Sequence, residues 1–176
     1  MTIRLGRSFQ PNAAVKAVRR AAFCLLAVGA ASCGASDTPA TAPTPTPTQS
    51  TVTINGSTVN VSIAATVAAR DTGLMRVTNL GASSGMLFVF ADDRQRAFWM
   101  KDTPTPLSIA FLDANKKVVF LEDMSPNTLT LHGGLNAPQM RYALEVNLGW
   151  FASHGITVGM YATFTLPTGL VVQPDP

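Results

Sequence analysis

The chain has 176 residues, 47% of them apolar and 13% charged, which is enough for one domain with a real core and excludes disorder throughout. Its net charge of +3 would suggest a nucleic-acid partner if the basic residues were spread through the fold. Five of the 13 (Arg4, Arg7, Lys16, Arg19, Arg20) instead lie before or at the start of an apolar run, and the 8 after Cys33 face all 10 acidic residues, a balance of −2 that removes the argument for nucleic acid.

Arg19-Arg20 is followed by the uncharged, mostly apolar run Ala21 to Ala31 and then by Ser32-Cys33-Gly34, the layout of a bacterial signal peptide. The run is well short of the ~20 residues needed to cross a bilayer. Ala30-Ala31-Ser32-Cys33 resembles a lipobox, so residues 1–32 read as a lipoprotein-type signal peptide and Cys33 as the acylated terminus. Ala30 stands where Leu is usual, and cleavage by an ordinary signal peptidase is the alternative. Phe23 sits one place too late for a twin-arginine signal. Cys24 would leave with the signal, so no thiol remains for a disulfide and the domain must be held by its core alone. The expectation is an exported protein of the cell envelope, anchored by two or three acyl chains, with its domain in the periplasm or outside the membrane.

Residues 33–50 form a Thr/Pro-rich tether. Proline at every second position from Pro43 to Pro47 excludes helix and favours extended chain, which at about 3.1 Å per residue reaches up to roughly 50 Å.

Residues 51–176 read as the folded domain. Thr51 to Ile54 and Val59 to Ile63 alternate apolar and polar residues around Asn55-Gly56, a hairpin signal because these residues tolerate the positive φ of tight turns. Ala64 to Arg70 is Ala-rich and predicts a short helix ended by Asp71-Thr72-Gly73. Met86 to Phe90 predicts a strand. Leu107 to Leu112 and Val118 to Leu121, joined by the turn Asp113-Ala114-Asn115-Lys116, predict a second hairpin. Ser125 to Gln139, with two prolines and two glycines, reads as a long loop. Arg141 to Asn147 predicts a strand, Gly149 to Gly155 a turn or short helix, Thr157 to Leu166 a last strand, and the residues after Pro167 a frayed tail. Short strands at this spacing imply a mainly β, jelly-roll-like sandwich or barrel with little helix.

Gly73-Leu74-Met75, Gly85 to Phe90, Phe98-Trp99-Met100-Lys101, Thr103, Pro106-Leu107, Ile109 to Asp113, Tyr142 to Glu145 and Gly155 to Gly159 together resemble the DUF192 (UPF0127) family over roughly residues 59 to 166. The resemblance implies a jelly-roll-like β domain and no established reaction. The chain departs from the family pattern at four polar positions: Val77 in place of Arg, Asp102 of Asn, Ser108 of Asp and Met160 of Asp.

Candidate chemistry is sparse. Within Phe98 to Lys101, alternation puts Phe98 and Met100 on one face and Trp99 with Lys101 on the other. Trp99, Lys101, Asp102 and Thr103 therefore form the candidate ligand-binding patch, an aromatic face flanked by charges, with Trp99 partly exposed. Glu145 lies between Leu144 and Val146 in a strand, on the opposite face from both, and is expected to be solvated or paired with a cation such as Arg70, Arg96 or Lys101, Arg70 first. His132 and His154 have no i,i+4 partner, and the six methionines after Cys33 read as core filler, so no metal or other cofactor is expected. No nucleophile motif or phosphate loop is present, and catalytic residues are unassigned. The reading is a non-enzymatic, lipid-anchored domain for a small ligand, a glycan or an envelope protein. The alternative is a metal-dependent or acid/base hydrolase using Asp102, Asp113 or Glu145, which would require three such groups to converge in a concave site.

Overall fold

The computed structural model of the protein describes residues 48–176. The expected signal peptide, Cys33 and the expected tether as far as Pro47 lie outside the described residues. Folded chain begins slightly earlier than the sequence implies, because β1 (Gln49–Ile54) takes in Gln49 and Ser50. It pairs with β2 (Ser57–Ala64) in register from Gln49↔Ser62 to Ile54↔Ser57, and the turn between them has positive φ at both Asn55 (50°) and Gly56 (75°). That is the geometry which suits a right-twisted two-residue hairpin.

A crossover through α1 (Val67–Thr72) leads to β3 (Ser84–Arg94), which runs parallel to β2. Thr66 caps the helix by accepting from the Ala69 N–H, and Gly73 ends it. After the two-residue β4 (Ala97–Phe98) come the hairpin β5 (Leu107–Leu112) and β6 (Val118–Met124). The loop that follows contains β7 (His132–Gly133), paired with β4, and a 3-10 turn at Gly134–Asn136. Strand β8 (Met140–Asn147) inserts between β3 and β5; α2 (Trp150–Ser153) and β9 (Ala162–Thr163) complete the domain.

The main sheet has the order β6-β5-β8-β3-β2-β1-β9 and curls into an open half barrel, mainly β with little helix. Its two edges approach at a single bridge, Lys117↔Tyr161, beside the backbone bonds Val118 N–H to Met160 O (2.8 Å) and Ala162 N–H to Lys116 O (2.9 Å). The last strand is therefore much shorter than the alternation of Thr157 to Leu166 predicts. This segment pairs with β1 only at Ala162 and Thr163, and Phe164 leaves it to pack edge-on against Tyr142.

Both faces of the central strands are covered. Leu87, Val89, Ala110, Leu112, Leu144 and Val146 enter one core with Val52, Val59, Trp150 and Phe151. Their alternates Phe88, Phe90, Ile109, Phe111 and Ala143 enter a second core with Leu74, Met100 and Met140. This explains why every residue of β5 is buried, and why β3 and β5 read as continuous apolar runs. Each fully buried Leu, Ile or Phe contributes about 1.5–3 kcal/mol, so two cores can hold a domain without disulfides.

The C-terminal tail is the main departure from expectation. Instead of fraying it returns across the sheet to α1. Leu170 and Val172 pack on the first core, the Gln173 N–H donates to Ala65 O (2.9 Å), and Gln173 Oε1 accepts from the Val67 N–H (2.9 Å).

Candidate functional site

A cleft of ≈ 540 Å³ opens over the second core, between α1, β3, β4 and the returning tail. Phe88 and Phe90 of β3 form its floor with Phe98, whose ring stands edge-on to both at centroid distances of 5.1 and 6.4 Å. Trp99 follows Phe98 at the rim and is 46% exposed, as the alternation of this stretch implies.

Two arginines hold the opposite end. The Arg70 side chain is 5% exposed and the Arg96 side chain 8%. Both guanidinium groups lie over the Phe90 ring, Arg96 at 3.9 Å and Arg70 at 5.0 Å from its centroid. Such contacts are worth most when the cation is desolvated, as here. Arg70 Nη1 donates to the carbonyls of Ala65 (2.7 Å) and Val89 (3.2 Å), and Nη2 to Gln173 O (2.8 Å). Arg96 Nη1 donates to the carbonyls of Asp92 (3.2 Å) and Met140 (3.1 Å), and Nη2 to Asp92 Oδ1 (2.5 Å).

The register of the β3 and β8 ladder shifts between Val89 and Arg94, and this irregularity carries Asp92. Bulges of this kind re-aim side chains near functional clefts. Hydrogen bonds from Arg94 and Arg96 hold the Asp92 carboxyl below its ordinary value. One further donor from each of these arginines meets on a single group, the Asp175 carboxylate: Arg70 Nη2 reaches Oδ1 at 2.8 Å and Arg96 Nε reaches Oδ2 at 2.8 Å.

A smaller hollow of ≈ 40 Å³ shares Arg70, Asp71, Phe88, Phe98 and Trp99 with the cleft and reaches Thr103 and Glu145. Glu145 faces the second core, flanked by Met86 and Ile109 across the sheet, and is 4% exposed. Burial pushes its carboxyl up to about 8, because the charged form loses its hydration. The expected pairing of Glu145 with Arg70 is not what the structure holds. Arg70 directs its donors to backbone carbonyls and Asp175, and no ion pair among the described residues reaches Glu145.

Of the sequence-derived patch, Trp99 lines both cavities and Thr103 the smaller one, where it is buried with its hydroxyl donating to Lys101 O (3.2 Å). Lys101 Nζ lies 5.3 Å from the centroid of the Trp99 ring. Asp102 is exposed in a turn with φ of 53°, a left-handed conformation that Asp and Asn tolerate better than most residues. Asp113 is committed to its turn, accepting from the Asn115 N–H (2.8 Å) and the Lys117 N–H (3.0 Å). Among the described residues, no three His, Cys, Asp or Glu side chains converge as metal ligands. His132 is buried with Nδ1 3.1 Å from Glu122 Oε1 but not aligned for a hydrogen bond, and its Nε2 has no partner among the described residues. Sequence reasoning named Arg96 only as a possible partner of Glu145 and missed Asp175. The signal it passed over was Leu170-Val171-Val172, an apolar run in a tail otherwise read as frayed.

The fold and cleft define a small curled-sheet β domain with an aromatic hollow closed at one end by two buried cations. The chain belongs to the DUF192 family (Uncharacterized ACR, COG1430), whose model matches residues 50–164. It is similar to the crystal structure of a Sinorhizobium meliloti protein described provisionally as a transcription regulator. That match has a TM-score of 0.63 at 25% identity and covers 67% of this chain and 95% of that one. It is also similar to a Novosphingobium aromaticivorans protein of unknown function, with a TM-score of 0.58 at 30% identity, covering 65% of this chain and 83% of that one. No curated protein matches the chain.

Proposed function

We propose that the protein is a lipid-anchored component of the bacterial cell envelope whose domain binds a small ligand, free or as part of a glycan or partner protein, without transforming it. The observation that carries the binding reading is the cleft itself, with Phe88, Phe98 and Trp99 as an apolar wall and oriented guanidinium groups at one end. A concave, mostly preformed hollow with a few placed polar groups is the usual form of a ligand site. On this reading the patch is centred on Trp99 and extends to Arg70 and Arg96, which line the cleft with it, whereas Lys101 and Asp102 line neither cavity. The acids invoked for hydrolysis are dispersed over a turn after β4 (Asp102), a turn after β5 (Asp113) and the middle of β8 (Glu145), and give no support to that alternative. A role in transcription regulation, the provisional description of the Sinorhizobium protein, gains no support from the charge balance, since the residues after Cys33 carry 8 basic against 10 acidic groups.

The binding reading is tested by screening the full-length protein in detergent against a glycan array and a metabolite panel by thermal shift, alongside Trp99→Ala and Asp102→Asn. Hits should be lost in Trp99→Ala and retained in Asp102→Asn; hits indifferent to Trp99→Ala would place the ligand elsewhere. Anchoring is tested by palmitate labelling in cells, which should disappear in Cys33→Ala. A processed but unlabelled wild-type protein would rule it out.

A further inference from the structure

We infer that Arg70 and Arg96 form a carboxylate seat, that Asp175 of the C-terminal tail is its resident occupant, and that the cleft takes ligands pairing a carboxylate with an apolar or aromatic body. This rests on the reading of the cleft as a ligand site and names the ligand's chemistry. Three observations point the same way. The two guanidinium groups are positioned independently of Asp175. Four bonds to the backbone carbonyls of Ala65, Val89, Asp92 and Met140, none of them on the tail, one to the Asp92 side chain, and the Phe90 ring beneath them fix both planes. The Asp175 carboxylate is bound as a ligand carboxylate would be, each oxygen taking one N–H at 2.8 Å from a different arginine. The cleft also continues past Asp175 along Phe88, Phe98 and Trp99, so it has room for a body larger than an aspartate side chain. Asp71 lines the rim but is exposed, and its carboxylate takes part in none of these bonds.

The occupant is also the most easily released part of the arrangement. The Asp175 side chain keeps 23% exposure, whereas those of the arginines keep 5% and 8%. Arg70 and Arg96 fall within residues 50–164 of the family match, and Asp175 lies beyond it. A tethered carboxylate competes at an effective concentration in the millimolar range, so it suppresses the apparent affinity of free carboxylates without abolishing it. When it leaves, two buried cations lose their shared counter-charge, an expensive condition that an incoming carboxylate relieves.

The test uses full-length protein in detergent, with phenylacetate as probe and the neutral isostere phenylacetamide as control, titrated by calorimetry into wild type and Asp175→Ala. Phenylacetate should bind the variant at least ~10-fold more tightly than wild type, the gain expected from removing a tethered competitor, and should raise its thermal midpoint, while phenylacetamide does neither. A second measurement needs no variant: in wild type, saturating phenylacetate, but not the amide, should increase amide hydrogen exchange at Gln173 and its neighbours as the tail is displaced. Equal binding of acid and amide, unaffected by Asp175→Ala, would overturn the carboxylate seat and leave the cleft as an apolar ligand site. No binding of either probe to either protein, with tail exchange unchanged, would overturn the seat and also remove support for the cleft as a ligand site.

Discussion

Glu145 offers the sharpest test of the electrostatics beneath the cleft. Its carboxyl titrates at about 8 in the folded chain against an ordinary value of 4.5, and burial is the cause. The folded state thus holds this proton more tightly than the unfolded state does. The stability it contributes is complete below pH 4.5, declines as pH rises, and is lost above about pH 8. The slope over that window is ~1.4 kcal/mol per pH unit, which accumulates to ~3 kcal/mol by neutral pH. Glu145→Gln cannot titrate. Its amide brings new donors into a site with no partner among the described residues, but that penalty does not change with pH, so the slope is the informative quantity. Urea unfolding of both proteins from about pH 5 to about pH 8 should show the variant gaining on wild type by ~1.4 kcal/mol per pH unit and levelling off at the alkaline end. Parallel stability curves would refute the reasoning and mean that Glu145 is hydrated or paired in solution.

Three further outcomes follow from the geometry. Gly85→Ala would put a Cβ 2.4 Å from the Glu145 carbonyl oxygen across the β3 and β8 ladder, where only backbone can give way, and should cost at least ~2 kcal/mol in chemical denaturation. Gly56→Ala, with φ of 75° and open space around the new methyl, should cost only the ~1 kcal/mol of a left-handed alanine and leave the spectrum of the fold unchanged. Asp92, held below its ordinary value of 3.8 by Arg94 and Arg96, contributes stability that is present above that value and lost as pH falls through the lower folded one. Asp92→Asn should therefore lower the thermal midpoint at neutral pH, with the gap to wild type closing in acid; a gap that persists there would show that Asp92 acts through something other than its charge.

The strands that pair locally were legible because turn chemistry and alternation both act over short range. Asn55-Gly56 fixes the first hairpin, and Asp113 to Lys116 the second, through the Asp113 side chain accepting two N–H bonds. What was not legible is how strands distant in sequence come together. The position of β8 between β3 and β5 and the parallel pairing of β2 with β3 depend on contacts that no local pattern encodes. The seven-stranded main sheet with a core on either face follows from that topology, and two such sheets packed as a sandwich would have produced the same apolar runs in β3 and β5. The last strand was overestimated for a related reason. Thr157 to Leu166 has strand-like alternation, but Phe164 is held by the Tyr142 ring, and only two residues of the segment pair with β1.

The site was half legible, and the missing half explains the error over Glu145. Trp99 could be assigned to the surface because it alternates with Phe98 and Met100, and the buried Met100 supports that logic. The same logic placed Glu145 opposite Leu144 and Val146, correctly, and then assumed that the opposite face of a strand is wet or salt-bridged. In this sheet it is neither, since the second core covers it. The cation assigned to Glu145 was already engaged. Arg70 points along the cleft to the tail, drawn there by the carbonyls of Ala65 and Gln173 and by a carboxylate 105 positions away in the chain. Burial is what raises the Glu145 carboxyl to about 8: no ion pair among the described residues reaches it, and ionising it would place an uncompensated charge in the second core. Arg70 thus pairs with Asp175 and not with Glu145, and it is this tail carboxylate, 23% exposed, that the proposed seat would exchange for a ligand.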